Sequence, residues 1–242
     1  MSLDRGSDVE AMRWPQFLEW VRDTWAPGEH WAVVAPTGEG KTTFIGGLAK
    51  TRRYVLGLDI KGGDRTLSGF GWERVANWPL SRKHRKQMQD EGRLRILIGG
   101  TDRTTKGRAD RRLLLGRVLE SLMADTGWTV LAPDLMALTH RTLGKAEDQM
   151  RELLILARDA DVSIVTDWQR PSNVPVEAGD QATYLAVGYT RDKRSVERLA
   201  EMMGRSYAEL RGAINALGEL PHGWLVVSRR PREPIILTKP EI

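Results

Sequence analysis

Residues 35 to 42 decide the fold, and they read Ala35-Pro36-Thr37-Gly38-Glu39-Gly40-Lys41-Thr42. The stretch matches Ala/Gly-x4-Gly-Lys-Ser/Thr, the pattern of a phosphate-binding loop or P-loop. An apolar run from Trp31 to Ala35 precedes it, and an amphipathic segment from Lys41 to Lys50 follows, which predicts a strand, this loop and a helix. Glycines let successive N–H groups point at phosphate oxygens, and the helix N-terminus adds the positive end of its dipole.

The loop also predicts the nucleotide-binding residues. Lys41 is expected to neutralise the β and γ phosphates, and the Thr42 hydroxyl to bind Mg²⁺, so ATP and Mg²⁺ are the expected cofactors. The alternative is a glycine-rich turn with a solvated lysine. The full set of candidate nucleotide-binding residues is Pro36, Thr37, Gly38, Glu39, Gly40, Lys41, Thr42 and Thr43.

Around the loop, short apolar runs alternate with amphipathic stretches, a pattern that predicts an α/β fold with a mostly parallel central sheet flanked by helices. We expect a helical lead-in over residues 1–26, one core over 27–228, and a C-terminal hairpin strand and tail over 229–242. Further strands are predicted at 54–58, 93–98, 128–131, 162–166, 184–187, 224–227 and 235–237. Helices are predicted at 14–25, 111–123, 147–160, 194–203 and 207–217.

Composition excludes several classes of protein. Hydrophobic residues make up 40% and charged residues 29% of the 242, which is typical of a globular chain. Neither a signal peptide nor an apolar run of membrane-spanning length is found, so we expect no membrane insertion and a cytoplasmic location, in the host cytoplasm if the protein is viral. With 0 Cys, disulfide scaffolds, thiolate zinc sites and cysteine nucleophiles are excluded, and the 4 His show no ligand spacing.

The net charge is +5, and the bases are clustered. One block comprises Arg82, Lys83, Arg85, Lys86, Arg93 and Arg95, and a second runs from Arg103 to Arg112. These blocks predict either solvated faces or a surface that contacts the phosphates of a nucleic acid.

A nucleotide-hydrolysing site also needs an acid at the end of a neighbouring buried strand. The run from Trp128 to Ala132, followed by Pro133 and Asp134, supplies one acid where two are usual. Asp134 is therefore a candidate catalytic and metal-binding residue, although an exposed Asp at a strand end is the alternative. Asp59 and Asp167 are the next candidates.

Three segments together resemble the FtsK/HerA superfamily of DNA-pumping ATPases. Residues 36–43 are similar to its phosphate loop, Asp59 to Asp64 resemble its Asp-Pro-Lys motif, and residues 156–172 contain its Gln-Arg-Pro-Ser signature after a helix that ends in Ala-Arg. The matches follow one another in family order from about Gly28 to Pro175. The resemblance implies a RecA-like P-loop NTPase domain.

The resemblance also implies roles for two further residues. Gln169 is expected at the tip of the strand beside the P-loop strand, where it would sense the γ-phosphate. Arg158 is a candidate to reach a neighbouring subunit's nucleotide, because a guanidinium suits the charge of the transferring phosphoryl group. For each residue, a role in capping its own element is the alternative.

The sequence departs from the family pattern at two places. Ala35 stands where the family has Gly. Only one carboxylate is found where the family has Asp-Glu, and the downstream apolar residues favour a register with Pro133 at the Asp position and Asp134 at the Glu position. In the other register Asp134 is the magnesium ligand and Leu135 replaces the Glu. One carboxylate is missing in both.

By resemblance, the chain is expected to be a ring-forming homo-oligomer, a hexamer or pentamer, that moves double-stranded DNA by ATP hydrolysis. It resembles the compact motors with which viruses and mobile elements pack or transfer genomes, and its basic blocks would lie on pore-facing loops. One alternative is a nucleotide-gated DNA-binding or assembly module with little ATP turnover. Another is a related ATPase that moves protein.

Overall fold

A computed structural model describes residues 9–133, 145–171, 176–230 and 233–241. The strands are β1 (Val9–Ala11), β2 (His30–Val34), β3 (Tyr54–Leu58), β4 (Glu73–Val75), β5 (Leu94–Ile98), β6 (Thr129–Ala132), β7 (Ser163–Trp168), β8 (Ala182–Gly188), β9 (Trp224–Ser228) and β10 (Ile235–Thr238). The helices are α1 (Trp14–Thr24), α2 (Lys41–Lys50), α3 (Arg65–Gly69), α4 (Arg82–Glu91), α5 (Thr105–Leu122), α6 (Lys145–Leu156), α7 (Val176–Gln181), α8 (Lys193–Met203) and α9 (Tyr207–Leu217).

The strands form one ten-stranded sheet in the order β1-β10-β9-β8-β2-β7-β6-β3-β5-β4. Among the described strands, β9 runs antiparallel to β8 and β10, and the other neighbouring pairs are parallel. The predicted mostly parallel α/β sheet is therefore confirmed. The strand before the P-loop, β2, lies between β8 and β7, so the loop emerges in the interior of the sheet.

Alternate residues of the central strands pack on opposite faces. One face lies against α1 and α2 and is rich in aromatic side chains, among them Phe17, Trp31, Phe44, Tyr184 and Trp224. The other face packs against α5 to α9. Burial on both faces explains why these strands have nearly continuous apolar sequences.

Helix α2 packs closely against the Trp14 and Phe70 rings because two of its residues lack side chains. A Cβ at Gly46 would lie 2.6 Å from the Phe70 ring, and a Cβ at Gly47 would overlap the Trp14 indole. Larger residues there would displace these two rings or the helix. The two glycines thus allow the close contact of α2 with Trp14 of α1 and with Phe70.

Several elements differ from the sequence expectations. Strands β1 and β4 and helices α3, α4 and α7 were not predicted, and α5 begins at Thr105 rather than near Arg111. The predicted pairing of the last two strands is confirmed, and β1 adds to the outer side of β10. The division into lead-in, core and tail stays a prediction. Within the described residues we find no helix with the length and apolarity to cross a bilayer.

Candidate functional site

The P-loop connects β2 to α2 through two glycines with left-handed backbone. Gly38 has φ 93° and Gly40 has φ 79°, a region that side-chain-bearing residues rarely adopt. The Gly40 carbonyl accepts the Phe44 N–H at 3.0 Å, which starts α2 directly after the loop. The predicted strand, loop and helix are confirmed, and the first amides of α2 lie at the end of β2 where an anion can bind.

The side chain of Lys41 folds back over the start of the loop. Its Nζ donates to the carbonyl oxygens of Ala35 at 2.7 Å and Pro36 at 2.9 Å. The Ala35 N–H in turn donates to the Trp168 carbonyl at 3.1 Å, which ties the loop to β7. The ammonium group is therefore held at the loop, where it can neutralise a bound phosphate.

The departure at Ala35 is matched by a glycine on the neighbouring strand. A Cβ at Gly188, the last residue of β8, would lie 2.6 Å from the Ala35 methyl. Real Cβ atoms do not approach so closely, so the Ala35 methyl occupies space that Gly188 leaves open. The extra methyl is thus accommodated without displacing the loop.

Gln169 follows the last residue of β7, and β7 pairs with β2. The predicted adjacency of these two strands is confirmed. Gln169 is exposed at the same edge of the sheet as the P-loop, since both follow the carboxyl ends of parallel strands. The contact of Gln169 with a γ-phosphate stays a prediction.

Arg158 lies at the opposite edge of the sheet. It is an exposed residue of the turn after α6, and its backbone is so close to Gly28, ahead of β2, that a Cβ there would be 2.9 Å from the Arg158 carbonyl oxygen. Strand β2 spans roughly 15 Å at 3.3 Å per residue. Arg158 therefore cannot reach the P-loop of its own chain, and contact with a nucleotide requires a second subunit.

The carboxylate of Asp59 organises the loop after β3. It is fully buried and accepts N–H groups of Gly62 at 2.9 Å and Gly63 at 2.7 Å, together with the Arg74 guanidinium at 2.7 Å. Because these bonds occupy its oxygens, Asp59 is poorly suited to bind a metal or accept a proton. Asp134 lies outside the described residues.

Oxygen donors for a metal ion lie on the α2 side of this edge. Thr42 is half-buried in the first turn of α2, and Asp167 near the end of β7 is 8% exposed. Within the described residues no cluster of three or more His, Cys, Asp or Glu could hold an ion alone. A hydroxyl and one carboxylate, completed by substrate phosphates and water, are what Mg²⁺ usually uses, so the residues present fit this ion.

The expectation that the basic blocks lie on loops is largely wrong. Most of these residues belong to helices: Arg82, Lys83, Arg85 and Lys86 to α4, and Lys106, Arg108, Arg111 and Arg112 to α5. Both helices start with a side-chain cap, from Ser81 and Thr104 respectively. Because α4 has few apolar residues, its sequence does not show a helical period.

Two basic residues of these blocks, Arg111 and Arg95, donate hydrogen bonds to backbone carbonyl groups of the protein itself. Arg111 is buried and donates to the carbonyls of Gly100 at 3.0 Å, Ile60 at 3.4 Å and Asp102 at 2.6 Å. Its burial lowers the pKa of the guanidinium. Arg95 donates to the carbonyls of Lys50 and Arg52. Arg82, Arg85, Lys86, Lys106 and Arg108 are exposed.

His222 is a neighbour of the P-loop that the sequence analysis did not assign. It lies in the turn before β9, and a Cβ at Gly40 would be 3.8 Å from its Nδ1. Since β9 is antiparallel to β8, its first residues lie at the edge where the parallel strands end. Only the pairing of β9 with β8 brings His222 here, and no local sequence pattern signals it.

Comparison with known proteins finds no matching family model. No curated protein matches the sequence. Solved structures do match. The genome-packaging NTPase B204 of Sulfolobus turreted icosahedral virus 2, in complex with AMP, is 14% identical and superposes with a TM-score of 0.59, covering 89% of this chain and 99% of that chain.

Two other solved structures are similar. The pCW3 conjugation coupling protein TcpA, in monomer form with ATPγS, is 14% identical with a TM-score of 0.53, over 87% of this chain and 59% of that chain. VirB4 of Thermoanaerobacter pseudethanolicus is 10% identical with a TM-score of 0.58, over 88% of this chain and 89% of that chain. At these identities the likeness concerns architecture, and the chain has the α/β fold of these proteins.

Proposed function

We propose that the chain is an ATPase that uses ATP hydrolysis to move double-stranded DNA, as a genome-packaging or DNA-transfer motor. The observation that carries the proposal is the P-loop on β2 with Gln169 on the adjacent strand, within the fold of the genome-packaging NTPase B204. An NTPase and a conjugation coupling protein among the similar structures support both parts of the proposal.

In this proposal each group acts on a different part of ATP. The P-loop amides and Lys41 hold the phosphates, and Gln169 contacts the γ-phosphate and transmits its loss along β7. Thr42 and a carboxylate hold Mg²⁺, which would neutralise charge that develops on the phosphate oxygens. Asp134 is the candidate to orient the attacking water.

A ring explains the position of Arg158. Its backbone lies at the edge of the sheet away from its own P-loop, so its guanidinium is proposed to complete the site of a neighbouring subunit. Each site would then need two copies of the chain, as in a hexameric or pentameric ring. Turnover would depend on assembly.

The exposed bases on α4 and α5 are proposed to contact DNA. Both helices cover the same face of the sheet: Met88 of α4 and Leu115 of α5 pack into one apolar cluster. Exposed Arg and Lys side chains suit phosphate contacts that do not read the bases, so binding should weaken as salt rises.

A second candidate is a nucleotide-gated DNA-binding or assembly module. The replacement of one of the two usual acids by Pro133 favours it, because a site short of a carboxylate can bind ATP and turn it over slowly. The two candidates differ in ATP turnover.

The test is ATP turnover of the purified protein with and without long duplex DNA, with Lys41→Ala and Lys50→Ala as a matched pair. Lys50 is an exposed lysine at the far end of the same helix. We expect turnover in the wild type and in Lys50→Ala, stimulation by DNA, and loss of nucleotide binding in Lys41→Ala. Nucleotide binding without turnover in either condition would exclude the motor and leave the module. Unchanged affinity in Lys41→Ala would contradict the P-loop assignment.

A further inference from the structure

The acid that is missing after β6 has a counterpart on the next strand. Ala132, the last residue of β6, pairs with Thr166 of β7. The following residues, Pro133 and Asp167, therefore stand at the same level of the sheet on neighbouring strands. Pro133 occupies the position at which the preferred register expects the metal-binding Asp.

When the alternation along β6 is continued by one residue into the turn, Pro133 falls on the same face as Asp167. Side chains alternate between the faces along a strand. Leu131, two residues before Pro133, and Val165, two residues before Asp167, both pack in the cluster under α2. Asp167 thus carries a carboxylate on the face where the Pro133 position offers none.

Asp167 lies on the nucleotide side of that position. It pairs with Val33 of β2, whereas β6 is one strand further from β2. Neighbouring strands are about 4.8 Å apart, so the carboxylate stands one strand spacing closer to the P-loop strand than a residue of β6.

The start of α2 lies above the same edge. Phe44 packs with Val33 and Val165 in one cluster. Thr42 precedes Phe44 in α2 and lies nearer to the start of the helix. Asp167 follows Val165 in β7 and lies nearer to the end of the strand. The start of α2 and the end of β7 are both at the edge of the sheet where the P-loop begins. The Thr42 hydroxyl and the Asp167 carboxylate therefore border one region, and Asp167 is 8% exposed.

We propose that Asp167 on β7 is the carboxylate that holds Mg²⁺ together with Thr42, in place of the acid absent at Pro133. The inference rests on the proposed ATPase function. It leaves Asp134 to act on the water and assigns the metal to a strand between β2 and β6. The loss of one acid at the end of β6 then removes no ligand from the site.

The test measures the affinity of a fluorescent ATP analogue with Mg²⁺ and with EDTA. We expect Asp167→Asn to reduce the gain in affinity from Mg²⁺ by about tenfold or more, because an amide is a much weaker ligand than a carboxylate. Its affinity in EDTA should be unchanged. Asp159→Asn, a change at an exposed turn residue, is the matched control and should behave as the wild type.

A variant that moves the carboxylate from position 167 to position 133 tests whether Asp167 binds the metal or only stabilises the site. In an Asp167→Ala background, Pro133→Asp should restore a large part of the Mg²⁺ effect, because the new carboxylate faces the same region. A folded double variant that binds the analogue with Mg²⁺ no better than Asp167→Ala would show that the two positions do not serve one ion, and the proposal would be wrong.

The outcomes also separate this inference from the proposed function. If the wild type binds the analogue and Mg²⁺ strengthens binding equally in Asp167→Asn, the metal ligand lies elsewhere and the ATPase proposal stands. If the wild type binds no nucleotide under either condition, the proposed function itself fails.

Discussion

At the base of the P-loop, the methyl group of Ala35 occupies the space that a side chain at Gly188 would need. The Ala35 methyl lies 2.6 Å from where a Cβ of Gly188 would be. Gly188→Ala should therefore lower the free energy of unfolding by about 1–3 kcal/mol, as overpacking does, and weaken nucleotide binding by displacing the loop. Urea unfolding and the affinity for an ATP analogue measure the two effects.

A double variant gives the control for this steric contact. In Ala35→Gly/Gly188→Ala the methyl is moved to the other strand, and most of the lost stability and affinity should return. If the two single changes simply add, the residues do not share this space. Gly212→Ala, at a glycine with open space around it, should leave nucleotide binding unchanged.

At the residue scale, the sequence predicted the groups of the loop better than the roles of single acids. The strand, glycines and lysine are local features, and the structure has them as expected. Asp59 and Asp167 both follow apolar runs in the sequence. Arg74 and three backbone amides surround the carboxylate of Asp59, and those contacts arise only on folding.

At the scale of elements, apolar patterns predicted the buried strands but did not predict the helix that consists mainly of charged residues. Strands buried on both faces have continuous apolar runs and were found. Helix α4 presents mainly charged side chains, and its His84 and Met88 are the positions that pack inward. Its boundaries depend on the Ser81 cap and on Gly92, whose φ is 62°. Capping residues without an apolar period are a weak signal.

Arg52 joins separate elements at the edge of the sheet away from the P-loop. Its guanidinium donates to the Trp25 carbonyl at 2.8 Å and to the hydroxyls of Thr129 at 3.0 Å and Ser163 at 2.8 Å, and stacks 4.2 Å from the Trp25 ring centre. Arg52→Met should lower the free energy of unfolding by roughly 2–3 kcal/mol, because three acceptors lose a charged donor. Urea unfolding measures the loss.

The neighbouring arginine is the control for Arg52. Arg53 is exposed, so Arg53→Met should change stability by less than about 0.5 kcal/mol. Equal losses in the two variants would mean that the Arg52 contacts do not stabilise the fold. Arg52 could not be singled out from sequence because its partners are the residue after α1 and the first residues of β6 and β7.

At the scale of the whole molecule, the sequence predicted a parallel sheet but could not give the full order of its strands. Resemblance placed β7 beside β2, and the structure agrees. The turn carrying His222 reaches the P-loop because β9 reverses direction beside β8. Such contacts depend on long-range pairing, which a local pattern does not encode.

The position of Arg158 predicts cooperation between subunits. Arg158→Ala should bind ATP normally and lose most turnover, because the substituted group belongs to the neighbour's site. Lys41→Ala should lose nucleotide binding. Mixing the two inactive variants should restore part of the ATPase rate, since some interfaces then pair an intact P-loop with an intact Arg158.

The mixing experiment has a clear negative result and a control. Arg22→Ala, at an exposed arginine of α1, should retain turnover without mixing. If Arg158→Ala subunits hydrolyse ATP as fast as the wild type, Arg158 takes no part in hydrolysis and acts within its own turn. If mixed subunits assemble and remain inactive, Arg158 does not act across the interface. Recovery of activity would instead require two copies of the chain at each site, which makes hydrolysis a property of the assembly.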